Sequence, residues 1–160
     1  MWSATTDDGP FNGLLERPAL RSLIPRPLAG RSVLDAGCGS GAQCAWLLGE
    51  GADVTGLDLS PAMVDQARQR CGSAAKLMVA DLADDLPLEP RSFDGVTCSL
   101  ALHYLRDWQV PLASFARILR PGVGWSSRWT IPSARHCPIS AAATFSTSWS
   151  ATPGTKRMSK

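Results

Sequence analysis

The chain has 160 residues, 44% of them hydrophobic, and a formal net charge of +2. That suffices for one domain with a buried core, and no stretch approaches the roughly 18 apolar residues a membrane helix needs. The first eight residues lack the basic and apolar regions of a signal peptide, and the five cysteines form no CxxC pair, so reduced thiols in a cytoplasmic protein are expected, with no metal site and no disulfide framework.

The charge is unevenly placed. Residues 1–121 carry −3 and residues 122–160 carry +5, without one acid in the latter. Residues 1–32 read as an N-terminal cap segment. Leu15, Ala19, Leu20 and Leu23 fall at helical spacing there, interrupted by Pro18, before Pro25, Pro27 and Gly30 end the segment. Val33–Ala36 is a short apolar strand. It empties into Gly37-Cys38-Gly39-Ser40-Gly41, and a helix follows to about Gly49. Alternating glycines accept backbone angles that side chains forbid, and a helix start offers free N–H groups and a positive dipole end. A nucleotide-like ligand suits that turn.

Asp53–Leu57 is a second strand ending at Asp58. Ser60 and Pro61 then provide an N-cap and a first-turn proline for a helix with Met63, Val64 and Ala67 on its apolar face. Lys76–Ala80 is a third strand ending at Asp81, followed by an acidic loop. Phe93–Cys98 is a fourth strand, and Leu112, Phe115, Ala116 and Leu119 mark a last amphipathic helix between Trp108 and Leu119. Strands alternating with helices imply a parallel sheet covered on both faces, which binds ligands beyond the carboxyl ends of its strands. Asp35, Asp58 and Asp81 each stand at or near such an end, beside the glycine turn.

The segments VLDAGCGSG (33–41), VTGLDLSPAMVDQAR (54–68), VADLADDLP (79–87), FDGVTCSLALHYL (93–105) and ARILRPG (116–122) resemble the class I S-adenosylmethionine-dependent methyltransferases, in particular the type 11 methyltransferase domain. The resemblance covers residues 14–122 and implies a Rossmann-like, doubly wound, mostly parallel α/β sheet with a binding core over 33–122. It implies S-adenosyl-L-methionine as cofactor. Gly37, Cys38, Gly39 and Gly41 would pass under its methionine part, and Asp35 would contact the amino group. Asp58 would accept from both ribose hydroxyls, Leu59 and Met63 would flank the adenine, and Asp81 would accept from the adenine amino group beside Leu82. Ser99, with Leu100, would face the sulfonium and the acceptor's entrance. His103 is the candidate general base, and Tyr104 is expected to pack on the following helix. The implied partner is a small-molecule acceptor, with no nucleic acid and no membrane.

Two other readings remain open in the sequence. Gly37-x-Gly39-x-x-Ala42 with Asp58 some 20 residues on also fits an NAD-type dinucleotide fingerprint, although Asp35 and Asp81 are acids that pattern does not use. The other reading is an inactive, truncated cofactor-binding domain, because the sequence changes character after Gly122. Residues 122–160 hold eight serines, three of the six tryptophans and no leucine. A one-base shift of reading frame, with ordinary codon choices, can re-read the start of this stretch as an apolar strand, R-G-L-V-L-A-V-D-H-P-F. The expectation is therefore a sheet that stops after the fourth strand and its helix, with a disordered or weakly packed tail over 123–160 whose basic charge is an accident of frame.

Overall fold

The computed structural model describes Leu14 and residues 16–121. Within them, α1 (Arg17–Leu23) precedes β1 (Ser32–Ala36), α2 (Ala42–Gly49), β2 (Asp53–Asp58), α3 (Pro61–Cys71), β3 (Ala75–Val79), β4 (Gly95–Thr97) and α4 (Gln109–Ile118). The four strands form one sheet in the order β3-β2-β1-β4, every pair parallel. The direction of strand addition therefore reverses between β1 and β4, the kind of switch point where such sheets open a ligand crevice.

Successive residues of a strand face opposite ways, and each face of this sheet has its own core. Val33, Val54, Leu20, Leu28, Leu47 and Ala67 pack together on the side of α1, α2 and α3. Leu34, Leu57, Val96, Leu86, Phe115 and Ile118 pack on the side of α4. Apolar strands buried on both sides are what a parallel sheet requires. The methyltransferase-like, doubly wound architecture expected from the sequence is present, with four strands among the described residues. The tail over 123–160 lies outside those residues.

Several local expectations need correction. Pro18 does not interrupt α1; it sits in the helix's first turn, where its missing N–H leaves no bond unmade. β3 runs one residue earlier than expected, and β4 is only three residues long. β4 is shortened because Phe93 forms an isolated parallel bridge with Leu119, and the Asp94 carboxylate turns back to accept from the Ser32 N–H at 2.8 Å. Leu119 therefore belongs to the sheet's margin rather than to the last helix. The buried face of α4 is Pro111, Ser114, Phe115 and Ile118, while Leu112 and Ala116 are exposed. Ser114 is buried because its hydroxyl accepts from the Leu86 N–H and donates to Asp85, tying α4 to the acidic loop. Arg117 does the same at the Leu86 and Leu88 carbonyls, both at 2.6 Å.

Phe115 is fully buried in the α4-side core. Phe115→Ala is expected to lower the unfolding free energy by about 3–5 kcal/mol, read as a drop in the urea midpoint at unchanged slope.

Candidate functional site

The glycine turn is fixed to the end of β2 by three hydrogen bonds. The N–H groups of Gly37 and Cys38 both donate to the Leu57 carbonyl at 2.8 Å, and the Gly39 N–H donates to Asp58 Oδ2 at 3.0 Å. Gly37 has φ +77°, and a Cβ there would lie 2.4 Å from the Ala101 Cβ. Gly41 has φ +83°, and a Cβ there would lie 2.9 Å from Ala67 of α3. These two glycines serve backbone geometry and close packing of the loop after β4 and of α3. Gly39 differs: a Cβ on it would meet nothing within 4 Å. The space above Gly39 is open, with Asp58 beside it.

Asp58 is half-buried, and its second oxygen accepts from the Ser60 N–H at 2.9 Å. Each oxygen thus has one backbone donor and retains a further lone pair. Ser60 caps α3 through the Met63 N–H, as its sequence position suggested. Leu59 is 63% exposed and Met63 half-buried, so an apolar edge stands next to the carboxylate. At the end of β3, Asp81 accepts from the Ala83 N–H at 2.8 Å, forming a tight local turn that leaves Leu82 buried.

Asp35 is 3% exposed, set among β1, β4 and α2. Thr97 Oγ1 donates to one oxygen at 2.9 Å, and the Cys44 thiol lies 3.2 Å from the other. Burial pushes its pKa up to about 6, the Thr97 and Cys44 bonds oppose that rise, and the Glu16 and Asp58 carboxylates add to it. The described thiols are buried, at Cys38, Cys44, Cys71 and Cys98. A hydrogen bond with Cys38, then burial and the Asp35 carboxylate push Cys44 upward, while burial and then Asp35 push Cys98 up to about 12. Neutral, inert thiols suit a floor beneath a binding site. Among the described residues no group of His, Cys, Asp and Glu could hold a metal, and no helix is long and apolar enough to cross a membrane.

The loop after β4 holds the remaining expected residues. Ser99 donates its hydroxyl to Glu16, just before α1, and Leu100 follows with φ +52°. Glu16 is 7% exposed. Sequence reasoning missed it, because nothing near residue 16 signals a partner 83 positions away. His103 is exposed, its ring stacked at 4.0 Å on Tyr104. Tyr104 is 65% exposed, so it does not pack beneath the following helix as expected; the short 3₁₀ turn over Leu102–Tyr104 buries Leu102 instead. On the other side of the turn, Gln43 in the first turn of α2 accepts from Arg21 Nε at 3.2 Å, and the Arg21 guanidinium lies over Trp46 at 5.0 Å.

A parallel sheet with a glycine turn after its first strand and an acid ending its second defines a class of nucleotide-cofactor enzymes. Residues 34–124 match a family model described as a methyltransferase domain. The chain belongs to this family of S-adenosylmethionine-dependent methyltransferases. The dinucleotide alternative is thereby replaced. A demethylmenaquinone methyltransferase of Tropheryma whipplei (strain Twist) is 38% identical over 94 residues, covering 59% of this chain and 39% of that protein. A ubiquinone biosynthesis O-methyltransferase of Thiobacillus denitrificans is 38% identical over 102 residues, covering 62% and 44%. A crystal structure of an S-adenosylmethionine-dependent methyltransferase from Mesorhizobium loti superposes with a TM-score of 0.63 at 36% identity, covering 71% of this chain and 51% of that one. The chain thus spans about two-fifths of the length of these curated relatives.

Because the folded-state pKa of Asp35 lies above that of an unfolded aspartate, the native state binds this proton more tightly. The resulting stability is complete below about pH 4 and is lost as pH rises through about 6. Its size is on the order of 3 kcal/mol. Asp35→Asn should remove it, so thermal melts of variant and wild type should diverge in the variant's favour between pH 4 and 7.

Proposed function

We propose that this chain binds S-adenosyl-L-methionine across the carboxyl ends of its strands and transfers the methyl group to a small-molecule acceptor. The observation that carries the reading is the Asp58 carboxylate. It is anchored by the Gly39 and Ser60 N–H groups with lone pairs to spare, beside open space over Gly39. That geometry fits a ribose diol, which presents two hydroxyl donors to two acceptor oxygens. Leu59 and Met63 supply the apolar walls for the adenine, and Asp81 with Leu82 closes its far edge. Gly37, Cys38 and Gly41 shape the turn under the methionine part, and Asp35 supports it from below as a buried negative charge. A cationic ligand above Asp35 would favour its ionised form and so offset the cost of burying it.

When bound, the cofactor supplies an electrophilic methyl group on a sulfonium. Transfer to a nucleophilic acceptor atom returns the C–S electron pair to sulfur and needs chiefly alignment of nucleophile, methyl and sulfur. The residues of this chain contribute that alignment: the glycine turn holds the methionine part, and Ser99 and Leu100 face the sulfonium. His103, exposed on the rim, is the group available to accept an acceptor's proton. Two of the relatives are a demethylmenaquinone methyltransferase and a ubiquinone biosynthesis O-methyltransferase, which supports a small organic acceptor here.

Calorimetric titration with S-adenosylhomocysteine tests the assignment. Wild type should bind, and Asp58→Ala should weaken binding at least about 30-fold, since hydrogen bonds to a charged acceptor contribute about 1.5–3 kcal/mol each. Wild-type binding that the substitution leaves unaffected would sink the assignment, and so would stabilisation by NAD but not by S-adenosylhomocysteine in a thermal-shift screen.

A further inference from the structure

Glu16 lies in a segment that the binding motifs do not include, yet the fold brings it to the crevice. Its carboxylate accepts from Ser99, which follows the carboxyl end of β4. The glycine turn follows the carboxyl end of the neighbouring β1. Glu16 therefore stands over the place where the order of the sheet reverses. Two further observations fix its surroundings. It is only 7% exposed, and it lies near enough to Asp35 to help raise that residue's pKa. Burial and then Arg17 lower the pKa of Arg21 while the Glu16 carboxylate opposes that shift, and Arg21 Nε is engaged with Gln43 with its guanidinium over Trp46.

A carboxylate so buried has been taken out of water, and an adjacent positive charge stabilises it. If the adenosine end of the ligand lies at Asp58, beyond β2, the other end crosses β1 toward β4. That end carries the α-ammonium and α-carboxylate, which persist in the product, and next to them the sulfonium, whose charge vanishes once the methyl group has left. We propose that Glu16 is a specificity-determining residue that favours the sulfonium-bearing methyl donor over its neutral demethylated product. This rests on the cofactor reading given above. A pair of opposite charges within several ångströms, at the effective dielectric of a partly buried site, is worth at least about an order of magnitude in affinity. The neutral thioether gains none of it. The device raises occupancy by fresh donor over spent cofactor at the same site.

The test compares S-adenosylmethionine with S-adenosylhomocysteine on the full chain, by calorimetry at low salt. Glu16→Gln keeps the size of the side chain and an oxygen able to accept from Ser99, while removing the charge. The expected result is about a tenfold loss of affinity for S-adenosylmethionine, with S-adenosylhomocysteine unchanged within about twofold. Equal losses for both ligands in Glu16→Gln, or no loss for either, would overturn the role of Glu16 and leave the cofactor site standing. A wild-type chain that binds neither ligand would overturn the cofactor reading and this inference with it. Matching far-ultraviolet dichroism and thermal midpoints identify variants that remain folded.

Discussion

The Leu57 carbonyl accepting two N–H groups, from Gly37 and Cys38, is the contact on which the rest of the site depends. It locks the turn after β1 to the end of β2 at one oxygen. Asp58, the next residue, can then reach the Gly39 N–H while still presenting lone pairs outward. Consecutive amides can converge on one carbonyl only if the backbone bends sharply, and Gly37 supplies that bend with a positive φ. Gly56, just before Leu57, allows the same approach from the other direction. A Cβ there would lie 2.8 Å from the Cys44 sulfur and 2.7 Å from the Leu77 side chain. A glycine in mid-strand weakens the strand itself, and here it lets α2 settle onto β2.

The opposite ends of the strands are held differently. Asp94, also buried, accepts from the Ser32 N–H and from Arg120 Nη1 at 2.8 Å, with Arg31 3.8 Å away. A buried carboxylate with two guanidinium groups and a backbone donor is well satisfied, and it joins the starts of β1 and β4 to the chain leaving α4. Asp35, at the carboxyl end of β1, has only a hydroxyl and a thiol. One strand therefore runs between a compensated acid and a strained one. The strained acid is the one under the proposed ligand, in keeping with the tendency of perturbed carboxylates to gather at functional sites.

Most of this frame was legible in the sequence because its signals are local. The glycine spacing, the Ser60-Pro61 helix start and the acids ending β2 and β3 lie within a few residues of the elements they define. The expectations that failed concern distant partners. Nothing around Ser114 says that its hydroxyl will serve the Leu86 amide and Asp85, so the apolar spacing puts Leu112 and Ala116 beside Phe115 on the buried face, where Pro111, Ser114 and Ile118 stand. Nothing around Phe93 says that it will pair with Leu119 and shorten β4. Glu16 draws no expectation at all: nothing beside Leu15 and Arg17 points to a partner, and only the fold brings it to Ser99. The acceptor is illegible for a related reason, since the glycine turn and the strand-end acids bear on the proposed donor and not on what meets it.

The sequence distances within the site also bear on the order in which it can form. The half built by β1, α2, β2 and α3 is contiguous from residue 32 to residue 71 and closes through short loops. The tie between Glu16 and Ser99 spans 83 positions, and β1 pairs with β4 across about sixty. Loop-closure entropy charges more for the longer spans, and contacts of high sequence separation slow folding. During synthesis, the glycine turn and Asp58 of the proposed nucleoside site are in place once α3 has emerged, whereas Asp81 and Leu82 follow β3 and the end that would meet the methyl group waits for β4. A ligand that engages that first portion would therefore stabilise it before the crevice is closed.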